Sequence, residues 1–203
     1  MIAKHTLSAL RGLRLAAVLA GTTALAGCIS FGAEPPDSLF TLTPSATMAA
    51  GTGASGSPQN AIAVVDISAP QRLDVNRVPV QIDSANVAYL EDAQWVEKPA
   101  VLFERLLAET IRSSGNRLVL EGPDAEFAAG TRLTGQLTEM GYDATTGSVV
   151  VRYDATMIMP SGEYRTRRFE SIEPGVAAEA AAIAPVLNRA ANAVAADVAA
   201  WVG

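Results

Sequence analysis

Two reactive residue types are almost absent from this 203-residue chain, which has one cysteine, Cys28, and one histidine, His5. Both lie in the first 28 residues, so residues 29–203 contain neither. This excludes serine–histidine triads, cysteine–histidine dyads and zinc sites built on these ligands from that part of the chain. Because no second cysteine exists to form an internal disulfide, the fold must be stabilised by burial of apolar surface.

The first 27 residues have the three-part pattern of a secretory signal peptide. Lys4, Arg11 and Arg14 give a positively charged start, an apolar run follows over residues 13–24, and small residues close the segment. The apolar run is shorter than the roughly 20 residues that cross a bilayer as a helix. We therefore predict that residues 1–27 are a signal peptide and not a membrane span.

The stretch Leu25-Ala26-Gly27-Cys28 ends this segment and resembles the bacterial lipobox, in which the cysteine sulfur is alkylated with diacylglycerol. The resemblance implies that Cys28 is lipidated and begins the mature chain. Ile29, in the place where aspartate commonly marks inner-membrane retention, implies an anchor in the outer membrane that faces the periplasm. Several acyl chains on Cys28 would hold the protein on the membrane almost permanently. The alternative is an incidental thiol just inside the mature chain.

The predicted mature chain is strongly acidic. Loss of residues 1–27 removes three basic and no acidic side chains, which leaves 15 − 3 = 12 Lys and Arg against 21 Asp and Glu, near −9. This charge disfavours nucleic acid as a partner. Carboxylate or Ser–Lys catalysis stays formally open, but no motif places a serine near Lys98, the one mature lysine, and no phosphate-binding glycine loop is present. We therefore expect no enzyme activity, no cofactor and no metal.

The mature chain divides into a short tether and one domain. Residues 28–38 form a polar, proline-containing lipidated tether, whose stretch from Ile29 to Ser38 reaches at most roughly 35 Å. The domain spans residues 39–203, with a Gly/Ser/Ala-rich flexible loop at 45–60. Apolar patterning predicts strands at 38–44, 61–67, 77–82, 86–91, 118–121, 131–142, 148–159 and 163–171, a loop at 122–130, and helices at 98–114 and 177–202.

These elements predict an α+β fold, a two-layer sandwich of a mainly antiparallel sheet with two helices on one face. Pro79 puts the strand at 77–82 at a sheet edge. In the last helix, Pro185 predicts a kink near the first turns, unless the helix begins there. The many alanines of that helix favour close packing, and an oligomer contact is the alternative. The strand at 148–159 alternates, and one face carries Val149, Val151, Tyr153, Ala155 and Met157.

Residues 73–111 carry a resemblance to a known family. In chain order, its features are a Leu-Asp pair, an extended segment with proline, a tyrosine, a tryptophan, a proline and a leucine-rich helix. Behind a lipobox, this order resembles the ABC-type transport auxiliary lipoproteins, the PqiC-like family. The corresponding residues here are Leu73, Asp74, Val78, Pro79, Val80, Tyr89, Trp95, Pro99, Leu102 and Leu106.

The resemblance implies a non-enzymatic accessory lipoprotein of the outer membrane that docks the MCE-domain protein of an ABC transporter for phospholipid transport between membranes. By analogy with ring-forming MCE proteins, it also implies a possible homo-oligomer. Tyr89, Trp95 and Pro99 are candidate structural or partner-contact residues, since aromatic rings suit either a lipid or peptide groove or the core. A stand-alone periplasmic lipid carrier is the alternative, and an envelope hydrolase using carboxylates is a third hypothesis.

Overall fold

The structure, a computed structural model, describes residues 38–115, 117–122 and 124–203. Seven strands and three α-helices are found within these residues. The predicted signal peptide, Cys28 and residues 28–37 of the tether lie outside these residues. In chain order the elements are β1 (Ile62–Ser68), β2 (Arg77–Gln81), β3 (Val87–Gln94), α1 (Pro99–Ser113), β4 (Val119–Leu120), α2 (Ala125–Ala128), β5 (Thr131–Asp143), β6 (Ser148–Ile158), β7 (Tyr164–Pro174) and α3 (Ala180–Val202).

Strand β5 is the centre of a single mixed sheet. One side of β5 pairs along its whole length with antiparallel β6, which pairs in turn with antiparallel β7. The other side pairs in parallel with β1 over residues 131–136 and with β2 at residues 142–143. Parallel β4 flanks β1, and antiparallel β3 flanks β2. The antiparallel ladders contain most of the paired residues, as the sequence predicted.

Helices α1 and α3 pack against each other and cover one face of the sheet. Phe103 of α1 contacts Tyr153 of β6, with ring centroids 5.2 Å apart, and both side chains are fully buried. The alternating side chains predicted for β6 do face the helices, from Val149 through Tyr153 to Met157. The predicted α+β fold with two helices on one face is therefore confirmed.

The ends of α1 follow from its sequence. Pro99 occupies the first turn, where its missing N–H is not needed by the helix. At the other end, Gly115 has a φ of +73°, a conformation that glycine adopts without strain. Its N–H donates to the carbonyl of Arg112 at 3.1 Å, which closes the helix.

The prediction that Pro79 places β2 at a sheet edge is wrong, because β2 lies between β3 and β5. Proline is tolerated there because β5 pairs with β2 only at Val80 and Gln81, so no ladder bond to β5 is needed from Pro79. Gly141 of β5 passes so close that an added Cβ would lie 2.4 Å from the Pro79 carbonyl oxygen. The missing side chain at Gly141 thus lets the two strands meet.

Several further boundaries differ from the sequence prediction, and β3 and β7 each continue three residues past their predicted ends. Residues 38–44 do not form a strand, and only Phe40 makes an isolated bridge, to Trp95. The predicted loop at 122–130 contains the short helix α2, and α3 begins at Ala180, with Pro185 inside it. Pro185 falls in the second turn of α3, where its missing N–H removes one helical bond. Within 45–60, only Pro58–Asn60 form a single 3-10 turn; flexibility of this loop stays a prediction.

Candidate functional site

Residues 39–48, here called the strap, cross the edge of the domain and then the two helices. The Phe40 N–H donates to the Gln94 carbonyl at 2.7 Å, and the Val96 N–H donates to the Phe40 carbonyl at 2.9 Å. Phe40 also packs edge-on against Trp95, with ring centroids 5.6 Å apart. The strap therefore fixes the point at which the chain from Cys28 enters the domain.

Two asparagines of α3 bind the middle of the strap. The Asn188 Oδ1 accepts from the Thr43 N–H at 2.8 Å. The Asn192 Oδ1 accepts from the Ser45 N–H at 2.7 Å, while its Nδ2 donates to the Thr43 carbonyl at 3.0 Å. Asn192 is only 8% exposed, so these bonds satisfy polar groups that have little access to water.

The end of the strap is held by α1. The Glu109 Oε1 accepts from the Met48 N–H at 2.9 Å, and this hydrogen bond, with Arg112 beside it, lowers the pKa of the Glu109 carboxyl. Glu109 also accepts from the Arg112 Nη1 at 2.6 Å. The strap is thus bound to both helices through side chains that are charged or carry an amide.

The three candidate contact residues lie near one another in the chain but in different environments. Trp95 is buried in the core, and Pro99 is buried at the start of α1. Tyr89 on β3 is half-buried; the Arg77 guanidinium lies 4.7 Å above its ring, and its hydroxyl donates to the Arg72 carbonyl at 3.4 Å. Trp95 and Pro99 therefore contribute to packing where α1 begins, and a partner contact at any of the three stays a prediction.

The face of β5–β6–β7 opposite the helices, here called the open face, is organised in rows across the strands. One row is apolar, one alternates Glu-Arg-Glu, one holds a Gln, an Asp and an Arg, and one is all threonine. In strand order β5, β6, β7 the rows are Gly141, Val150, Ile172; Glu139, Arg152, Glu170; Gln136, Asp154, Arg168; and Thr134, Thr156, Thr166.

Ion pairs connect the charged rows of the open face. Arg152 contacts Glu139 at 2.5 Å and also pairs with Glu170. In the next row, Arg168 makes two bonds of 2.6 Å to the carboxylate of Asp154, and these bonds hold the pKa of that carboxyl below its ordinary value. The two rows thus carry charges of both signs that are paired with one another across the strands.

A groove of about 950 Å³ lies at the end of the open face that carries the β5–β6 turn. It mixes an apolar set with charged side chains from β5 and β6, from the 3-10 turn Gln71–Leu73 that precedes β2, and from the turn after β2. The apolar lining is Pro79, Met140, Gly141, Val150, Ile172 and Pro174, and the charged lining is Arg72, Asp83, Glu139, Asp143 and Arg152. The groove therefore offers both apolar contacts and five charged side chains.

The two aspartates at the groove are fixed by their own turns. The Asp83 Oδ1 accepts from the backbone N–H groups of Ala85 at 2.8 Å and Asn86 at 2.9 Å. The Asp143 Oδ1 accepts from Thr145 through the hydroxyl at 2.6 Å and the N–H at 2.8 Å. These bonds lower the pKa of both carboxyls, so both remain anionic at neutral pH.

A half-buried carboxylate, Glu104, lies on the opposite side of the sheet at a bulge in β1. Its Oε2 accepts from the Ile67 N–H at 3.3 Å, next to Asp66, whose φ is +52°. Burial raises the pKa of Glu104, and the nearby Asp66 carboxylate adds to this effect. The Tyr153 hydroxyl donates to the Thr134 carbonyl at 2.8 Å, and burial raises its pKa.

Sequence reasoning missed the two asparagines of α3 that bind the strap. Asn188 and Asn192 are four residues apart on an alanine-rich helix, so they lie on one face, and Asn192 stands within the otherwise apolar stripe. A polar residue in such a stripe could have indicated a buried partner. Within the described ranges, no helix has the length and hydropathy needed to cross a membrane, and no group of three His, Cys, Asp or Glu residues is placed to hold a metal.

Comparison with known families assigns the domain to a class of transport accessory proteins. The family model of the ABC-type transport auxiliary lipoprotein component matches residues 40–199, which begins at the strap and ends within α3. The chain therefore belongs to this family, and the resemblance found in the sequence is confirmed. The family consists of accessory lipoproteins of transport systems in the cell envelope and is not an enzyme family. No curated protein sequence matches the chain significantly.

Solved structures share the fold. Protein XCC0632 from Xanthomonas campestris superposes with a TM-score of 0.67 at 16% identity, over 81% of this chain and 93% of that one. An uncharacterised protein gives 0.63 at 15% identity, over 82% and 100% of the two chains. The PelC dodecamer from Paraburkholderia phytofirmans gives 0.41 at 17% identity, over 72% and 91%. At these identities the two higher scores establish the fold and nothing finer.

Proposed function

We propose that this protein is anchored in the outer membrane through acylated Cys28 and docks the MCE-domain protein of an ABC transporter that moves phospholipid between membranes. The observation that carries the proposal is the family match over residues 40–199, together with the lipobox that precedes it. In this role ATP hydrolysis belongs to another subunit. The domain contributes a rigid docking surface at the end of a short tether.

The open face is the surface that we assign to the partner. The helices and the strap occupy the other face, whereas the open face presents rows of paired charges and the groove. Ile172 is 51% exposed at the groove and next to the Glu139–Arg152–Glu170 row, so it can supply an apolar contact surrounded by charge. Interfaces commonly place an apolar centre within a polar rim.

The alternative function, a stand-alone lipid carrier, receives less support from the geometry. The space between helices and sheet is filled by fully buried side chains such as Phe103, Leu107, Leu187 and Val194. The groove itself contains five charged side chains. Native mass spectrometry of the protein without its signal peptide and with Cys28→Ser measures phospholipid binding directly. Phospholipid bound in stoichiometric amount would support the carrier.

The docking proposal is tested by affinity purification of the full-length lipoprotein from detergent-solubilised envelopes after mild crosslinking. We expect recovery of an MCE-domain protein with its permease and ATPase. The matched control is Cys28→Ser, which leaves the folded domain intact but removes the anchor, and recovery should fall. Acylated, intact bait that recovers none of the three subunits would refute the proposal and favour the carrier.

A further inference from the structure

Three exposed apolar side chains lie on the segments that meet where the strap enters the domain. Leu39 is 49% exposed, Val96 is 45% exposed and Val101 is 40% exposed. Leu39 precedes Phe40 and Val96 follows Trp95. Phe40 and Trp95 are buried, whereas their chain neighbours Leu39 and Val96 are about half exposed, so Leu39 and Val96 point away from the Phe40–Trp95 contact. These side chains therefore face outward together at the origin of the tether.

Two cations flank this apolar surface. Lys98, Val101 and Arg105 are spaced three and four residues apart, so they share one side of the first turns of α1. Lys98 contacts Asp74 at 2.8 Å and Arg105 contacts Glu97 at 2.7 Å, with both basic side chains about half exposed. The surface is thus close to neutral in a strongly acidic protein. Asp74 and Glu97, whose carboxylates offset the two cations, are the acidic groups of this surface, and the next acidic side chains before it in the chain are Glu91 and Asp92 on β3.

We propose that this strap-end surface, made of Leu39, Val96, Lys98, Val101 and Arg105, rests on phospholipid headgroups. The inference rests on the proposed function, because it requires the anchor at Cys28. The tether from Ile29 to Ser38 reaches at most roughly 35 Å, and it enters the domain at Leu39, beside this surface. On a surface without net negative charge, exposed apolar side chains can enter the membrane interface, and their buried area adds to the hold of the acyl chains.

The orientation has a consequence for docking. When the strap-end surface lies on the membrane, the β3 side of the sheet is the near side, and β7 is the far edge. The open face then stands beside the bilayer and stays accessible to a protein partner. The hydrogen bonds of Phe40 to Gln94 and Val96 fix the strap on the domain directly after residue 39.

Quenching by lipid tests the orientation on the full-length acylated lipoprotein in vesicles of phosphatidylethanolamine and phosphatidylglycerol. Residues 29–203 contain no cysteine, so Val96→Cys provides the one free thiol for a fluorophore once Cys28 is acylated. Ile172→Cys is the matched control, since both side chains are exposed aliphatic residues. Lipids with a headgroup nitroxide should quench the label at position 96 severalfold more than the label at position 172.

The outcomes separate this inference from the proposed function. Mass spectrometry of the same samples reports acylation. Equal quenching at the two positions, or stronger quenching at position 172, in an acylated chain overturns the orientation and leaves the docking proposal standing. A chain without acyl groups on Cys28 overturns the anchor and, with it, this inference. Leu39→Cys is a second probe and should behave as Val96→Cys does.

Discussion

The strap depends on one buried amide, so Asn192→Ala should loosen it. The substitution removes the acceptor of the Ser45 N–H and the donor to the Thr43 carbonyl, and it removes a further bond to the Asn188 carbonyl at 2.8 Å. A hydrogen bond contributes about 1 kcal/mol net, and a partly buried group left without a partner costs about 1 to 3 kcal/mol. We expect a loss of about 2 to 3 kcal/mol in the free energy of unfolding.

Asn188→Ala is the matched control for this prediction. Asn188 accepts one bond through its side chain, from the exposed Thr43 N–H, which water can replace. Asn188→Ala should therefore lower the free energy of unfolding by only about 0.5 to 1 kcal/mol. Asn192→Asp adds a third comparison, because its carboxylate can still accept from Ser45 but meets the Thr43 and Asn188 carbonyls without a proton to donate. Asn192→Asp should therefore be less stable than Asn192→Ala at neutral pH and recover on acidification.

Two measurements check these values. Urea denaturation gives the free energy of unfolding of each variant, and amide hydrogen exchange reports the strap, where residues 43–48 should exchange faster in Asn192→Ala than in Asn188→Ala. Equal stability of Asn192→Ala and the unaltered protein, within about 0.5 kcal/mol, with unchanged exchange in the strap, would refute the reasoning.

Three further predictions concern the sheet. Glu104→Gln keeps an acceptor for the Ile67 N–H and should raise the free energy of unfolding at neutral pH. Because the pKa of Glu104 is raised in the folded state, this gain should appear above about pH 4.5 and vanish below it. Denaturation across a range of pH measures it. Gly135→Ala puts a Cβ 2.2 Å from the Asp154 carbonyl oxygen and should cost about 3 kcal/mol, whereas Gly53→Ala, with open space, should be near neutral in thermal unfolding. Asp154→Asn breaks the exposed pair with Arg168 and should cost at most about 1 kcal/mol, a difference that disappears in acid as Asp154 itself is protonated.

Local patterns in the sequence predicted those elements whose burial or boundaries depend on residues within the element itself. The alternation from Val149 to Met157 fixes which face of β6 is buried, and Pro99 and Gly115 mark where α1 begins and ends. In both cases the signal lies within one element, as periodicity or as a backbone preference.

Features that depend on distant residues were not predictable in this way. The position of β2 inside the sheet depends on a close approach between Pro79 and Gly141, and Gly141 lies 62 positions after Pro79 in the chain. The middle of the strap is held by partners more than 140 positions away, such as Asn192 for Ser45, so the pattern of residues 38–44 taken alone favoured a strand. No local pattern records which side chains a tertiary contact will bring together.

The groove on the open face was likewise beyond the sequence, because it combines turns after β2 and β5 with side chains of β6 and β7. Its aspartates lie at turns, and the turns account for their hydrogen bonds. Only the pairing of strands brings Asp83, Asp143 and Ile172 to one groove. The proposed partner surface is therefore a property of the sheet topology.

Photocrosslinking in intact envelopes tests the docking claim most directly. A photoreactive amino acid replaces Ile172 on the open face in one variant of the full-length lipoprotein and Phe127, 80% exposed on α2, in the control. We predict a crosslink from position 172 to an MCE-domain protein and none from position 127. An acylated, folded protein that crosslinks to no MCE-domain protein from position 172, or does so only from position 127, would contradict the account.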